Sequence, residues 1–235
     1  MKTKRTRWGL AGGAALAVAS LVATLVPGAV VSESNRASGP RAKPRRPATV
    51  SLVGLGDSVP AATGCPCTSF VELFGAGIAQ RTGTSVRVDN LGVPGMTSTD
   101  LLTALSGGGP FASAVADADV VTITIGANDF QHVAATGAEC PGSNGVRCYR
   151  PTLRFMKGNL QSIIERIKVL RTRRPTDIQI TGYWDIWADG AVARAKGYRY
   201  VEVGNDLTKL VNRSIAEVAN AESVRSSTCS CRSGA

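Results

Sequence analysis

Two short runs constrain this chain more than anything else in it. Val50–Leu55 (VSLVGL) and Ala118–Ile125 (ADVVTITI) are apolar along almost their whole length, and each is followed at once by glycine. A strand with one face in water alternates apolar and polar side chains, whereas a strand covered on both faces reads as a continuous apolar run. Around these runs the pattern turns helical, over Phe70–Gln80, Asp100–Leu105, Leu153–Leu170 (through Leu160, Ile163, Ile164 and Ile167) and Tyr200–Ala221. Ser85–Val88 and Asp177–Tyr183 read as further strands, and the GGGP at residues 107–110 reads as a helix stop. Strands alternating with helices imply an α/β fold, a parallel sheet sandwiched between helical layers.

Sheets of this kind bind ligands outside the carboxyl ends of their strands. Three turns leave strand ends here: Gly56-Asp57-Ser58, the NLGVPG turn around Gly95, and Gly126-Ala127-Asn128-Asp129. They bring a hydroxyl, a glycine whose N–H a ligand can approach closely, and an amide donor to one rim. An acyl-transfer site needs an attacking oxygen and donors aimed at the developing oxyanion, to which the Ser58 N–H adds a third. The plainer readings are a helix-capping serine, a Pro-Gly turn and ordinary loop polar residues. Two rival motifs fail: a dinucleotide fingerprint starting at Gly54 meets Val59 where its third glycine belongs, and a G-x-S-x-G elbow meets Pro60.

The N-terminus reads as an export signal over residues 1–32. A basic MKTKRTR precedes the almost uncharged run Trp8–Val31, with Val30 and Ser32 as a small-residue cleavage pair; uncut, the run is long enough to anchor in a bilayer. Residues 33–47, ESNRASGPRAKPRRP, read as a solvated basic linker. These two segments carry eight of the net ten positive charges, so only +2 remains for the rest, which excludes a nucleic-acid groove. The expected setting is therefore secreted or attached to the cell envelope, with membrane contact through the N-terminal segment alone. Six cysteines in an exported chain read first as disulfides: Cys140 with Cys148 across a loop, and Cys65 with Cys67 in a small ring. A zinc site from Cys65, Cys67, Cys229 and Cys231 is the weaker alternative.

Taken together, GDSV at 56–59, NLGVPG at 90–95 and GANDF at 126–130 resemble, in order and spacing, the first three sequence blocks of the SGNH (GDSL-type) lipase and esterase superfamily. The resemblance covers about residues 48–222. It implies a flavodoxin-like α/β/α sandwich, Ser58 as nucleophile, and Gly95 and Asn128 as oxyanion donors. It also implies a monomer that acts on small-molecule, lipid or polysaccharide esters without a metal or organic cofactor. Trp184 and Trp187 read as packing residues that also border a pocket.

The family's base is the histidine of a C-terminal Asp-x-x-His block, and here the match stops. The sole histidine is His132, three residues after Asp129; it follows the third block rather than a last strand and reads as a poor substitute base. Residues 225–235 show neither strand character nor histidine, so the domain is read as 48–224 with an aberrant tail and a missing last strand, and the chain as written is expected to be poorly stable and catalytically feeble. Back-translated from Val224 and read one base early, the tail permits the apolar-acidic string FVDLFVPFRG. We therefore expect the tail to be out of frame from about Arg225. Sequencing the locus from the codon of Asn220 past the stop is expected to find Asp-x-x-His in the shifted frame; an early stop there overturns the expectation.

Overall fold

The computed structural model describes residues 49–130, 145–171, 175–187 and 190–227. The export segment, the linker, His132, Cys140, Cys229 and Cys231 lie outside the described residues. All described elements fall in the unit that begins at Arg46. In chain order they are β1 (Val50–Gly56), α1 (Phe70–Thr82), β2 (Val86–Gly92), α2 (Ser98–Ser106), α3 (Pro110–Asp117), β3 (Val120–Thr124), α4 (Arg150–Leu170), β4 (Asp177–Thr181), α5 (Gly190–Ala195), α6 (Tyr198–Ala221) and β5 (Arg225–Ser227). Single 3-10 turns occupy Ala127–Phe130 and Arg147–Tyr149.

The strands form one sheet in the order β2-β1-β3-β4-β5, with every neighbouring pair parallel. All strand ends therefore reach one rim. From β1 the chain crosses first to one side, to β2, and then to the other, to β3. The end of β1 is thus the switch point where such sheets open a crevice.

Strand side chains alternate between the two faces. Val53, Leu55, Val121, Ile123 and Ile180 share a buried cluster with residues of α2, α3, α4 and α6, including Leu105, Val115, Ile163 and Ile215. Leu52 and Gly54 belong to the other face, where α1 packs with Val71 over Gly54 and Gly75 beside Leu52. The sheet is the middle of three layers, as expected. Helix starts follow local chemistry: the Ser69 hydroxyl accepts the Val71 and Glu72 N–H groups of α1, and Thr97 with Asp100 forms a capping box on α2.

Three elements differ from the sequence reading. The Pro110 that ends α2's neighbourhood also starts α3, because proline's missing N–H costs nothing in a first helical turn. Helix α5, six residues long, is too short to show a period. The expectation of a missing last strand is corrected: Arg225–Ser227 pairs in parallel with Gln179–Thr181 of β4. All three side chains of β5 are exposed, so its pairing comes from backbone groups, with Gly182 N–H donating to the Ser227 carbonyl at 2.7 Å. The Arg225 guanidinium meets both carboxylate oxygens of Asp177 alongside.

Gly56 closes β1 with φ of +137°, and a Cβ there would sit 1.9 Å from the Thr124 carbonyl oxygen; Gly95 also has a positive φ, +81°, but open space around it. Gly56→Ala is expected to lower unfolding free energy by more than about 3 kcal/mol. Gly95→Ala should cost only about 1 kcal/mol. Urea unfolding of the two variants checks this, and equal costs would contradict the backbone geometry.

Candidate active site

The rim at the end of β1 is stitched by backbone bonds. Asp57 N–H donates to the Thr124 carbonyl of β3 at 3.1 Å, and Val93 N–H donates to the Gly56 carbonyl at 2.9 Å. Beyond this point the chain winds through tight turns, with Thr63 N–H reaching the Ser58 carbonyl at 3.0 Å. The turn is capped by Asp57, whose Oδ1 accepts Val59 N–H at 2.9 Å. The capping role is therefore Asp57's. Among the described residues the Ser58 hydroxyl has no hydrogen-bond partner, and it faces a cavity of about 1030 Å³.

Tyr183, just beyond β4 and fully buried, supports this turn from beneath. Its hydroxyl donates to Asp57 Oδ2 at 2.5 Å and accepts Ala127 N–H at 3.3 Å. Burial pushes the Asp57 carboxyl above the usual carboxylate range, while the bonds from Tyr183 and from the Val59 N–H pull it down. Burial, reinforced by the Asp57 charge, pushes the Tyr183 phenol well up, so it remains a neutral donor. One phenol thereby joins the ends of β1, β3 and β4.

Asn128 is buried and lines the same cavity as Ser58. Its Nδ2 donates to the Met96 carbonyl at 2.9 Å, which ties the third turn to the second. Asp129 anchors that turn from the other side. Its carboxylate accepts the Ser98 N–H at 2.9 Å and the Ser98 hydroxyl, at the first residue of α2. Asn159 of α4 donates to the same hydroxyl at 2.9 Å. Burial raises the Asp129 carboxyl, and the Ser98 bonds oppose that rise. Asn90, the first residue of NLGVPG, braces the Ser58 loop by donating to the Pro60 carbonyl at 2.7 Å and the Ser69 hydroxyl at 3.0 Å.

The structure thus gathers Ser58, Asn128, Cys65 and Cys67 around one cavity. Gly95 is exposed, next to the residue that Asn128 holds, and is not part of the cavity wall. Cys65 and Cys67 are bonded to each other with Cα atoms 5.2 Å apart, which leaves neither thiolate for a metal. Cys148 is also disulfide-bonded. Trp184 and Trp187 both line the cavity, and Trp187 packs edge-on against Phe130 at 5.8 Å, so it combines the two roles the sequence suggested. The described residues include no histidine, the sole one being His132.

Sequence reasoning missed Tyr183 and Lys196. Tyr183 carried a weak signal, being a large polar-tipped residue two positions past a buried strand. Lys196 carried none, because only the return of the chain from α5 brings it to the cavity.

Comparison with known proteins agrees with this architecture. Residues 55–226 match the model of the GDSL-like lipase/acylhydrolase family. No curated protein sequence matches the chain. Among solved structures, the lipase Lip_vut3 from a goat rumen metagenome superposes with a TM-score of 0.61 at 15% identity, covering 75% of this chain and 79% of that one. Phospholipase A1 from Streptomyces albidoflavus NA297 gives 0.54 at 18% identity, covering 76% and 79%. An extracellular lipase from Streptomyces rimosus gives 0.52 at 18% identity, covering 76% and 80%. At these identities the structures speak for the shared fold alone, while the family match spans most of the chain, from the buried end of β1 to β5: the chain belongs to the GDSL-like lipase/acylhydrolase family.

Proposed function

We propose that this protein is an exported serine ester hydrolase that works through an acyl-enzyme. Ser58 Oγ attacks the ester carbonyl carbon, and its proton passes to a base and then to the departing alcohol. Water subsequently cleaves the acyl-serine bond and releases the acid. The Ser58 N–H and the Asn128 amide, both on residues of the cavity wall, are the donors assigned to the oxyanion, each contributing about 3 kcal/mol to the transition state. Gly95 lies outside that wall. The observation that carries this reading is the Ser58 hydroxyl, which has no hydrogen-bond partner among the described residues because Asp57 caps its turn, and which faces the cavity it shares with Asn128.

A second reading is favoured by one specific feature. The Ser58 proton has no acceptor among the described residues, which suits a non-catalytic envelope protein that keeps the cavity for acylated or sugar ligands.

A fluorophosphonate probe separates the two. The expected result is a covalent adduct on the Ser58 peptide that Ser58→Ala abolishes and Asn128→Ala slows by about tenfold or more. Acyl ligands that bind Ser58→Ala as well as the parent chain, with no adduct formed, would establish the second reading instead.

His132 follows the third block and is not assigned the base. His132→Ala is accordingly expected to change turnover of short p-nitrophenyl esters by less than about threefold, whereas loss of a general base costs about a hundredfold or more. A loss of that size would make His132 the base.

A further inference from the structure

We infer that the cavity selects acyl chains carrying an anionic group, and that Lys196 is the residue that makes the selection. The inference rests on the ester-hydrolase reading of the cavity and concerns which esters enter it.

The wall is mostly apolar, built from Phe70, Leu73, Trp184, Ile186 and Trp187 around the Ser58 turn. Its volume, about 1030 Å³, lies at the upper end of the range usual for small-molecule sites and leaves room for an alkyl chain beside the reacting ester. Two lining residues carry ionisable charge of opposite sign. Asp57 is 1% exposed, with its two carboxylate oxygens engaged by Val59 N–H and Tyr183, so neither oxygen is free to bond a ligand. Lys196 is exposed and has no ion-pair partner among the described residues. Among the described lining residues, Lys196 is therefore the one charged group open to a ligand, at the edge of an apolar wall. Low-dielectric walls strengthen the attraction of such a charge for an anion.

The backbone that carries the ammonium is also held in place. Lys196 occupies the tight turn between α5 and α6, where its N–H donates to the Ala193 carbonyl at 3.1 Å and Gly197 N–H donates to the Arg194 carbonyl at 3.0 Å. Its Nζ sits 4.5 Å from the centre of the Tyr200 ring. A carboxylate, phosphate or sulfate on the substrate would find a charged donor already oriented, and a neutral ester of equal chain length would not.

Binding of monomeric octyl phosphate, octyl glucoside and inorganic phosphate, followed by the fluorescence of Trp184 and Trp187, tests this without requiring turnover. The parent chain is expected to bind octyl phosphate about tenfold more tightly than octyl glucoside, and Lys196→Gln should bring the two affinities together. Lys196→Arg should keep the preference, and Lys209→Gln, which alters an exposed lysine paired with Asp206 on α6, should leave it unchanged. Equal affinities in the parent chain, or a preference that survives Lys196→Gln, overturns the proposal. Inorganic phosphate binding as tightly as octyl phosphate overturns it too, since the chain would then add nothing. If neither amphiphile binds, the acyl cavity itself is wrong; if both bind alike and fluorophosphonate still labels Ser58, the hydrolase reading stands and only the anion selection falls.

Discussion

The hydrogen bond from Tyr183 to Asp57 is the interaction on which the shape of the rim depends. It runs between two groups shut away from water, and the same phenol oxygen accepts the Ala127 N–H. A buried carboxylate is stable only with its acceptors filled, and a network of this kind is worth having only when complete. Completing it requires the loops after β1, β3 and β4 to arrive together. The positions of Ser58 and Asn128 are therefore consequences of satisfying Asp57.

That arrangement separates the rim residues that hold turns from those that face the cavity. Asp57, Asp129 and Asn90 spend their polar groups on neighbouring turns, through Val59, Ser98 and Pro60. Ser58 keeps its hydroxyl out of this bonding. In each of the two adjacent pairs, Asp57-Ser58 and Asn128-Asp129, the aspartate holds the backbone and its neighbour faces the cavity. A side chain on a turn is accurately placed only if other groups hold the turn, and the aspartates do so here.

Much of the fold was legible because burial on both faces leaves a plain mark. The apolar runs of β1 and β3 and the period of α4 and α6 lie within a few residues of where the structure has them. The failures share one cause. The pairing of β5 uses backbone groups that every residue possesses, so its exposed Arg225, Ser226 and Ser227 show no pattern. The start of α3 was hidden because Pro110 ends one helix pattern and begins the next. At the site, Ser58 and Asn128 were legible from residue type at strand ends, and the support beneath them was not.

By itself the sequence determined the class of fold, the rim where the strand ends gather, and the serine and asparagine that line its cavity. Local periodicity and turn chemistry act over a few residues, and those features are written at that range. Tertiary structure decided which residues stand behind and around them: Tyr183 reaches Asp57 across 126 positions, Asn159 reaches Ser98 across 61, and Lys196 returns to a cavity that begins at Asp57. Contacts over such separations depend on how the parallel crossovers bring strand ends together, and no local pattern records that geometry.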